Sequence, residues 1–285
     1  MRQVDGLHRL CRVIVQYGRD YIGHSIRLVA SCQPKYWMRC HQPRIVFITG
    51  MPRSGTTLAK RYLGEHPELV IAPPGKYQDG WAFAVEAPQG KIIVFKNTRN
   101  MSILNEIYTA YGNKAWFLCV VRDPRDELTS LFETDIHPEI PRNEMFWALW
   151  KERYLLFFDF ARIYSNKGTR VAIVRYEDLV LNPSRTKATF LKWLRLLPAE
   201  LGTSYQTIPE IALGPRRDED WKTHKNGNIH TESLGRWCQE SNPKRLQTML
   251  YYKQCADIVK LMCMLGYGEE ITDPTIRVEG LTLLR

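Results

Sequence analysis

Two arginines, one lysine and a run of hydroxyls carry the first signs of chemistry in this sequence. Between Gly50 and Leu58 the chain reads GMPRSGTTL, so that Arg53 sits among Pro52, Ser54, Gly55, Thr56 and Thr57. The residues before it, 44–49 (RIVFIT), are apolar and β-branched, as in a buried strand. A glycine-containing turn between a strand and a helix presents a row of backbone N–H groups, and the helix dipole adds partial positive charge. Gly55 permits positive φ or close backbone approach. The pattern predicts an anion site with Arg53 as its cation; an ordinary strand–helix connection is the plainer alternative. A nucleoside triphosphate loop would place Lys at position 56 and a hydroxyl on magnesium. Position 56 is Thr here. A single terminal phosphate, held without a metal, suits this loop better.

The elements that must position these residues are legible in outline. Apolar, β-branched runs at 44–49, 91–95, 116–121 and 171–175 predict strands. Helical patterns at 57–65, 101–111, 124–134 and 142–164 fall between them, and Pro183 opens another. Apolar strands alternating with helices predict an α/β fold: a central parallel β-sheet flanked by helices in three layers, like that of P-loop NTPases. A last long helix is predicted over 243–265, stopping at Gly266. The chain reads as one domain over 1–285, with a helical extension over 1–43, a core over about 44–267 and a tail over 268–285. Residues 71–80 (IAPPGKYQDG) and 214–233 read as loops of functional length.

Composition narrows the partners. The 285 residues are 44% hydrophobic and 25% charged, which supports a packed core. Lys and Arg number 40 against 30 Asp and Glu, a net charge of +10 that favours anionic ligands. The charges are scattered, which argues against nucleic acid. The seven cysteines show no C-x-x-C pair, and a cytoplasmic setting fits them. No apolar run reaches the roughly 20 residues a membrane span needs. The N-terminal stretch 4–30 reads as an amphipathic packed helix.

Three further segments join the loop in order. VVRDPRDELTSL (120–131) ends a strand at Arg122 and carries Ser130 on the next helix. VRYEDLVLNPSRTKATFLKWL (174–194) follows, and SLGRW (233–237) precedes a final helix ending in LGY (265–267). Together with GMPRSGTTL these segments resemble the sulfotransferases that use 3′-phosphoadenosine-5′-phosphosulfate (PAPS), over about residues 44–267. The resemblance implies that Pro52, Arg53, Ser54, Gly55, Thr56 and Thr57 hold the 5′-phosphosulfate, that Arg122 and Ser130 hold the 3′-phosphate, and that Tyr176 lies near the adenine. It implies a loop closing over the donor, for which Lys225, Asn226, Gly227 and Arg236 are candidates. Two separated anion sites at strand C-termini agree with where open α/β sheets bind ligands. Each residue has a plainer alternative. Arg122 could pair with Asp123 or Asp126, Tyr176 could be a core aromatic, and Lys96 could be a solvated strand end. Arg125 is assigned to the ion-paired turn RDPRD.

For chemistry, Arg53 and Lys96 are the candidates to neutralise charge on the leaving group and the transferring sulfuryl group. No metal is implied, since that group carries less charge than a phosphoryl group. The acceptor's base is not given by the family pattern. Thr98 stands where alcohol-sulfating relatives have His, and Asp79 is the acid in the stretch where carbohydrate-sulfating relatives have Glu. Asp79 is the first candidate base, ahead of Asp135 and His137. The expected acceptor is a hydroxyl or amine on a small molecule: a secondary metabolite, sugar or lipid. Two rival readings stand beside this one, a P-loop nucleotide kinase and a nucleotide binder without catalysis. The oligomeric state is open, a homodimer included.

Overall fold

The computed structural model describes residues 44–71, 90–98, 101–134, 137–197, 231–268 and 282–284. All belong to one compact unit, Pro43–Lys76 with Glu86–Arg285. The extension over 1–43 lies outside the described residues.

Six parallel strands form the sheet: β1 (Arg44–Gly50), β2 (Leu69–Ile71), β3 (Ile92–Lys96), β4 (Ala115–Val121), β5 (Arg170–Arg175) and β6 (Thr282–Leu284). Their order is β2-β3-β1-β4-β5-β6, and every pairing is parallel. The chain therefore leaves β1 towards one edge and later crosses to the other, so the C-terminal ends of β1 and β4 flank the point where strand order reverses. Open α/β sheets bind ligands there. The register sets the neighbours: Gly50 lies beside Val120, Ile48 beside Lys96, and Val121 beside Arg175.

Both faces of the sheet are covered, which is why its strands are almost continuously apolar. Even-numbered residues of β1, β3, β4 and β5, among them Val46, Ile48, Val94, Leu118 and Val174, share one core with α1 (Thr56–Gly64) and α6 (Pro183–Leu194). On the other face Phe47 and Phe117 are fully buried, and Phe117 stacks edge-on against Phe160, 4.5 Å away. Phe160 belongs to α4 (Met145–Ser165), where Trp147, Trp150, Tyr154 and Phe157 are also fully buried. The remaining helices are α2 (Leu104–Tyr111), α3 (Pro124–Phe132), α5 (Tyr176–Leu181), α7 (Pro243–Leu250) and α8 (Ala256–Leu265).

The predicted strands and their helices are present, with the short β2 and α5 in addition and three further differences. The helix expected over 243–265 is broken into α7, a 3-10 turn (Tyr251–Gln254) and α8, with Cys255 extended at φ −123° and ψ 94°. The break lets Tyr252 turn inward, where it packs 5.1 Å from Trp147 and its hydroxyl meets Arg125. The helix expected from 142 begins at Met145, where Asn143 Oδ1 accepts from the Met145 N–H at 3.1 Å, while the Arg142 guanidinium reaches back to the carbonyls of Leu131 (2.8 Å) and Thr134 (2.5 Å). Within the stretch read as a tail, residues 282–284 pair with β5 as β6.

Candidate active site

The loop after β1 is built by backbone geometry. A Cβ on Gly50 would lie 2.4 Å from the Val120 carbonyl oxygen, so only glycine lets β1 and β4 close this tightly at their ends. Gly55 has φ 99°, and a Cβ there would meet the Tyr176 ring at 2.3 Å. Between them the Ser54 N–H donates to the Met51 carbonyl at 3.1 Å and closes a turn. Arg53 holds φ 75°, the left-handed region, in which a non-glycine residue stores roughly 1–3 kcal/mol of strain. Such strain persists where surrounding contacts over-determine it, and here they do. Arg53 Nε donates to Ser130 Oγ at 2.8 Å, and the Arg53 carbonyl accepts from Arg122 Nη1 at 3.1 Å.

Arg122 leaves the end of β4 and enters this same cluster. It is buried, its Nη2 donates to the Ser233 carbonyl at 2.5 Å, and its guanidinium lies over the Tyr176 ring at 4.5 Å from the centroid. The ion pair with Asp123 or Asp126 considered above is not what holds it: its bonds run to backbone carbonyls. Arg125 does take the ion-paired role, bidentate on Asp123 with a closest approach of 2.7 Å. Asp123 also caps α3, accepting from the Arg125 N–H at 2.9 Å, with Pro124 following it in the first turn. Tyr176 is buried at the start of α5, and its hydroxyl meets Ser233 Oγ at 2.7 Å. Lys96, at the end of β3, donates to Thr57 Oγ1 at 2.9 Å.

The structure thus brings Arg53, Ser54, Gly55, Thr57, Lys96, Arg122, Ser130 and Tyr176 to one end of the sheet. The two sets that the sequence assigns to separate anions touch one another: Arg53 bonds directly to Ser130, and Arg122 bonds to the backbone of Arg53. In these bonds a guanidinium donates to a neutral oxygen, and an anionic oxygen would be a stronger acceptor for the same donors. Ser54 Oγ and Arg122 Nε are buried with no hydrogen-bond partner among the described residues. Unsatisfied donors in a cluster of this charge suit an anionic ligand.

The other candidates are less central. Arg236 forms an ion pair with Glu133 at the exposed end of α3, with Nη1 2.8 Å from Oε2. His137 Nδ1 lies 3.2 Å from Glu139 Oε1. Asp79, Asp135, Lys225, Asn226 and Gly227 lie outside the described residues.

Sequence reasoning placed Asp123 and Asp126 in a salt-bridged turn and missed what Asp126, Glu127 and Glu177 do around the arginines. Asp126 accepts from the backbone N–H groups of Gly235 (2.8 Å) and Trp237 (3.1 Å). Burial pushes its pKa up, against the opposing pull of Arg122 and these two amides. Glu127 is fully buried and neither carboxyl oxygen has a hydrogen-bond partner among the described residues. Burial raises its pKa well above the usual range, although the charges of Arg122 and Arg153 oppose the shift. Arg153 itself donates to the Thr98 carbonyl at 2.8 Å. Glu177 accepts from the Asp123 N–H (3.1 Å) and the Tyr267 hydroxyl (2.8 Å), and burial raises its pKa as well. The available signal was charge density: RDPRDE packs five ionisable side chains beside a strand end, more than a turn requires. Among the described residues no group of His, Cys, Asp and Glu is arranged to hold a metal ion, and no helix is long and apolar enough to cross a membrane.

No curated protein matches the chain. Among solved structures, 32 chains match. One is a mouse sulfotransferase, SULT7A1, complexed with PAP, at 15% identity and a TM-score of 0.49 over 80% of this chain and 90% of that one. A family model described as the sulfotransferase family matches residues 43–80. Over that stretch, which runs from β1 through the Arg53 loop and α1, the chain matches the sulfotransferase family.

Proposed function

We propose that this chain is a PAPS-dependent sulfotransferase acting on a hydroxyl or amine of a small molecule, such as a secondary metabolite, sugar or lipid, in the cytoplasm. The observation that carries the reading is the Arg53 cluster: a glycine-bounded loop at the switch point of a parallel sheet, with Arg53, Lys96, Arg122 and Ser130 converging on it. The family match over 43–80 supports it. The cluster offers what a doubly phosphorylated adenosine requires, since cations and hydroxyl donors come from two different strand ends.

The donor supplies an activated sulfuryl group on a 5′-phosphate. In transfer, the acceptor's oxygen or nitrogen forms a bond to sulfur while the bond between sulfur and the 5′-phosphate oxygen breaks, and the acceptor's proton passes to a base. The loop amides, Arg53 and the hydroxyls of Ser54, Thr56 and Thr57 bind the 5′ end and stabilise the charge gathering on the leaving oxygen. Lys96, held at Thr57, faces the same region from β3. Arg122 and Ser130 bind the 3′-phosphate, and Tyr176, fixed beneath Arg122, borders the adenosine. Asp79 is the proposed base. Arg236 and Lys225 belong to the segment proposed to close over the donor.

The test is an incubation of the purified chain with sulfur-labelled PAPS and an acceptor panel, in the presence of a chelator. Label moving to an acceptor, with PAP as the other product, is expected. Binding of PAP without transfer to any acceptor points to the non-catalytic binder. In a parallel incubation with labelled ATP and magnesium, transfer that stops when chelator is added points to the kinase.

A further inference from the structure

The segment 231–239 forms one wall of the cluster, and it is anchored from beneath by a buried carboxylate. Gly235 adopts φ 64°, which turns the chain so that the N–H groups of Gly235 and Trp237 converge on the two oxygens of Asp126. Asp126 is 2% exposed, in the first turn of α3. Two residues before Gly235, Ser233 presents its carbonyl to Arg122 Nη2 and its hydroxyl to Tyr176. Trp237 lies over the Arg125 guanidinium at 3.9 Å, and Arg236 reaches the exposed Glu133. Of these ties, the two on Asp126 run from a buried side chain to backbone N–H groups and are charge-assisted while it is ionised, so they fix the path of the segment whatever its side chains do.

We propose that Asp126 is a positioning residue of the donor site. By gripping the amides of Gly235 and Trp237 it holds Ser233 at the height where that residue orients both Arg122 and Tyr176. The assignment rests on the donor reading above. Its chemistry is specific: an ionised carboxylate offers two acceptors to two convergent N–H groups, whereas an amide offers one acceptor and sets an N–H donor against the other. The raised pKa of Asp126 adds that this grip weakens on acidification, when protonation removes one acceptor. The charged groups around Asp126 are Arg122 and Asp123, which act on it electrostatically, and the backbone dipoles of Gly235 and Trp237.

The experiment compares wild type, Asp126→Asn and Asp126→Glu in three readouts: PAP affinity by calorimetry, hydrogen exchange at residues 231–239 against β4, and KM for PAPS against KM for acceptor. In Asp126→Asn we expect PAP affinity to fall about tenfold or more. The Gly235 and Trp237 amides should exchange faster while β4 stays protected, and KM for PAPS should rise with acceptor KM unchanged. Asp126→Glu keeps the charge and should recover part of the loss; it also carries the test if the Asn variant does not fold. Unchanged protection at Gly235 and Trp237 in Asp126→Asn overturns the grip itself. Lost protection with unchanged PAP affinity overturns its role in the donor site. A wild-type chain that binds no PAP removes the donor reading and this role with it, while the exchange data still report separately on the grip.

Discussion

The two halves of the cationic cluster are made in different ways. The Arg53 half is contiguous: Gly50 to Thr57 form one loop, shaped by positive φ at Gly55 and Arg53 and by the tight approach of Gly50 to Val120. The Arg122 half is assembled across the chain. Arg122 and Ser130 come from β4 and α3, Tyr176 from α5, and Ser233 from a segment 111 positions from Arg122. The first half depends on backbone conformation, and the second on side-chain bonds between distant elements. Damage to the loop should therefore fall on the transfer step, and damage to the assembled half on donor affinity.

The largest effect should come from the loop. Arg53→Ala removes the cation nearest the leaving oxygen in the proposed reaction, and single-turnover transfer from PAPS should fall about 100-fold or more. Transfer within a few-fold of wild type would deprive the loop of its part in the chemistry. The next largest belongs to the other half. Arg122→Ala removes a buried cation that spans the Arg53 and Ser233 carbonyls. PAP affinity, read by calorimetry, should fall about 10- to 100-fold, with the rate from saturated donor much less affected. If both variants lose rate and affinity in the same proportion, the two halves are one unit and the contrast between them fails.

That contrast also explains what the sequence reveals. The loop half is legible because its chemistry is local: strand, turn residues and helix follow one another in GMPRSGTTL. Strands β1, β3, β4 and β5 are legible because burial on both faces makes them continuously apolar. The three-residue strands β2 and β6 are too short to carry a pattern. The break at Cys255 is set by Tyr252 reaching Trp147 and Arg125, contacts that no window over 243–265 contains. Ser233, Asp126 and Glu127 escaped for the same reason. In sequence, Asp126 reads as a candidate ion-pair partner of Arg122 or as part of the salt-bridged turn RDPRD. Only the fold shows that Asp126 faces a segment about 110 residues away and that Glu127 faces no water at all.

A smaller effect should appear where the halves touch. Gly55→Ala places a methyl against the Tyr176 ring, at 2.3 Å, and imposes φ 99° on alanine. The ring is fixed by its contact with the Arg122 guanidinium and by its hydroxyl at Ser233, so loop and ring must move apart. A stability loss of roughly 1–3 kcal/mol is expected by chemical denaturation. PAP affinity should fall with it, by less than in Arg122→Ala. Tyr176→Phe combined with Gly55→Ala should cost no less than Gly55→Ala alone, because the clash is with the ring and not with the hydroxyl. Relief of the loss by that second change would place the contact elsewhere.

The smallest effect on donor binding should come from Glu127→Gln, and its readout is stability against pH. Arg122 acts electrostatically on Glu127, but burial keeps that carboxyl protonated well above the usual range. The folded chain therefore retains a proton that the unfolded chain releases above its ordinary value of 4.5. The stability this group contributes is full below that value and declines as pH rises towards the folded pKa, by at most about 1.4 kcal/mol per pH unit. Gln cannot release a proton, so the variant should lose less stability on the way to neutral pH and overtake wild type there. Asp126 and Glu177 are shifted in the same direction, so the quantity to read is the difference between the two curves, in which their contributions cancel. Parallel curves from about pH 4 to about pH 8 would mean that Glu127 titrates alike in both states. Arg122 would then face a buried carboxylate rather than a neutral acid, and its charge would be partly neutralised before any phosphate arrived. The assembled half would owe its anion affinity less to Arg122 and more to Ser130 and the backbone, which is the outcome that Arg122→Ala measures independently.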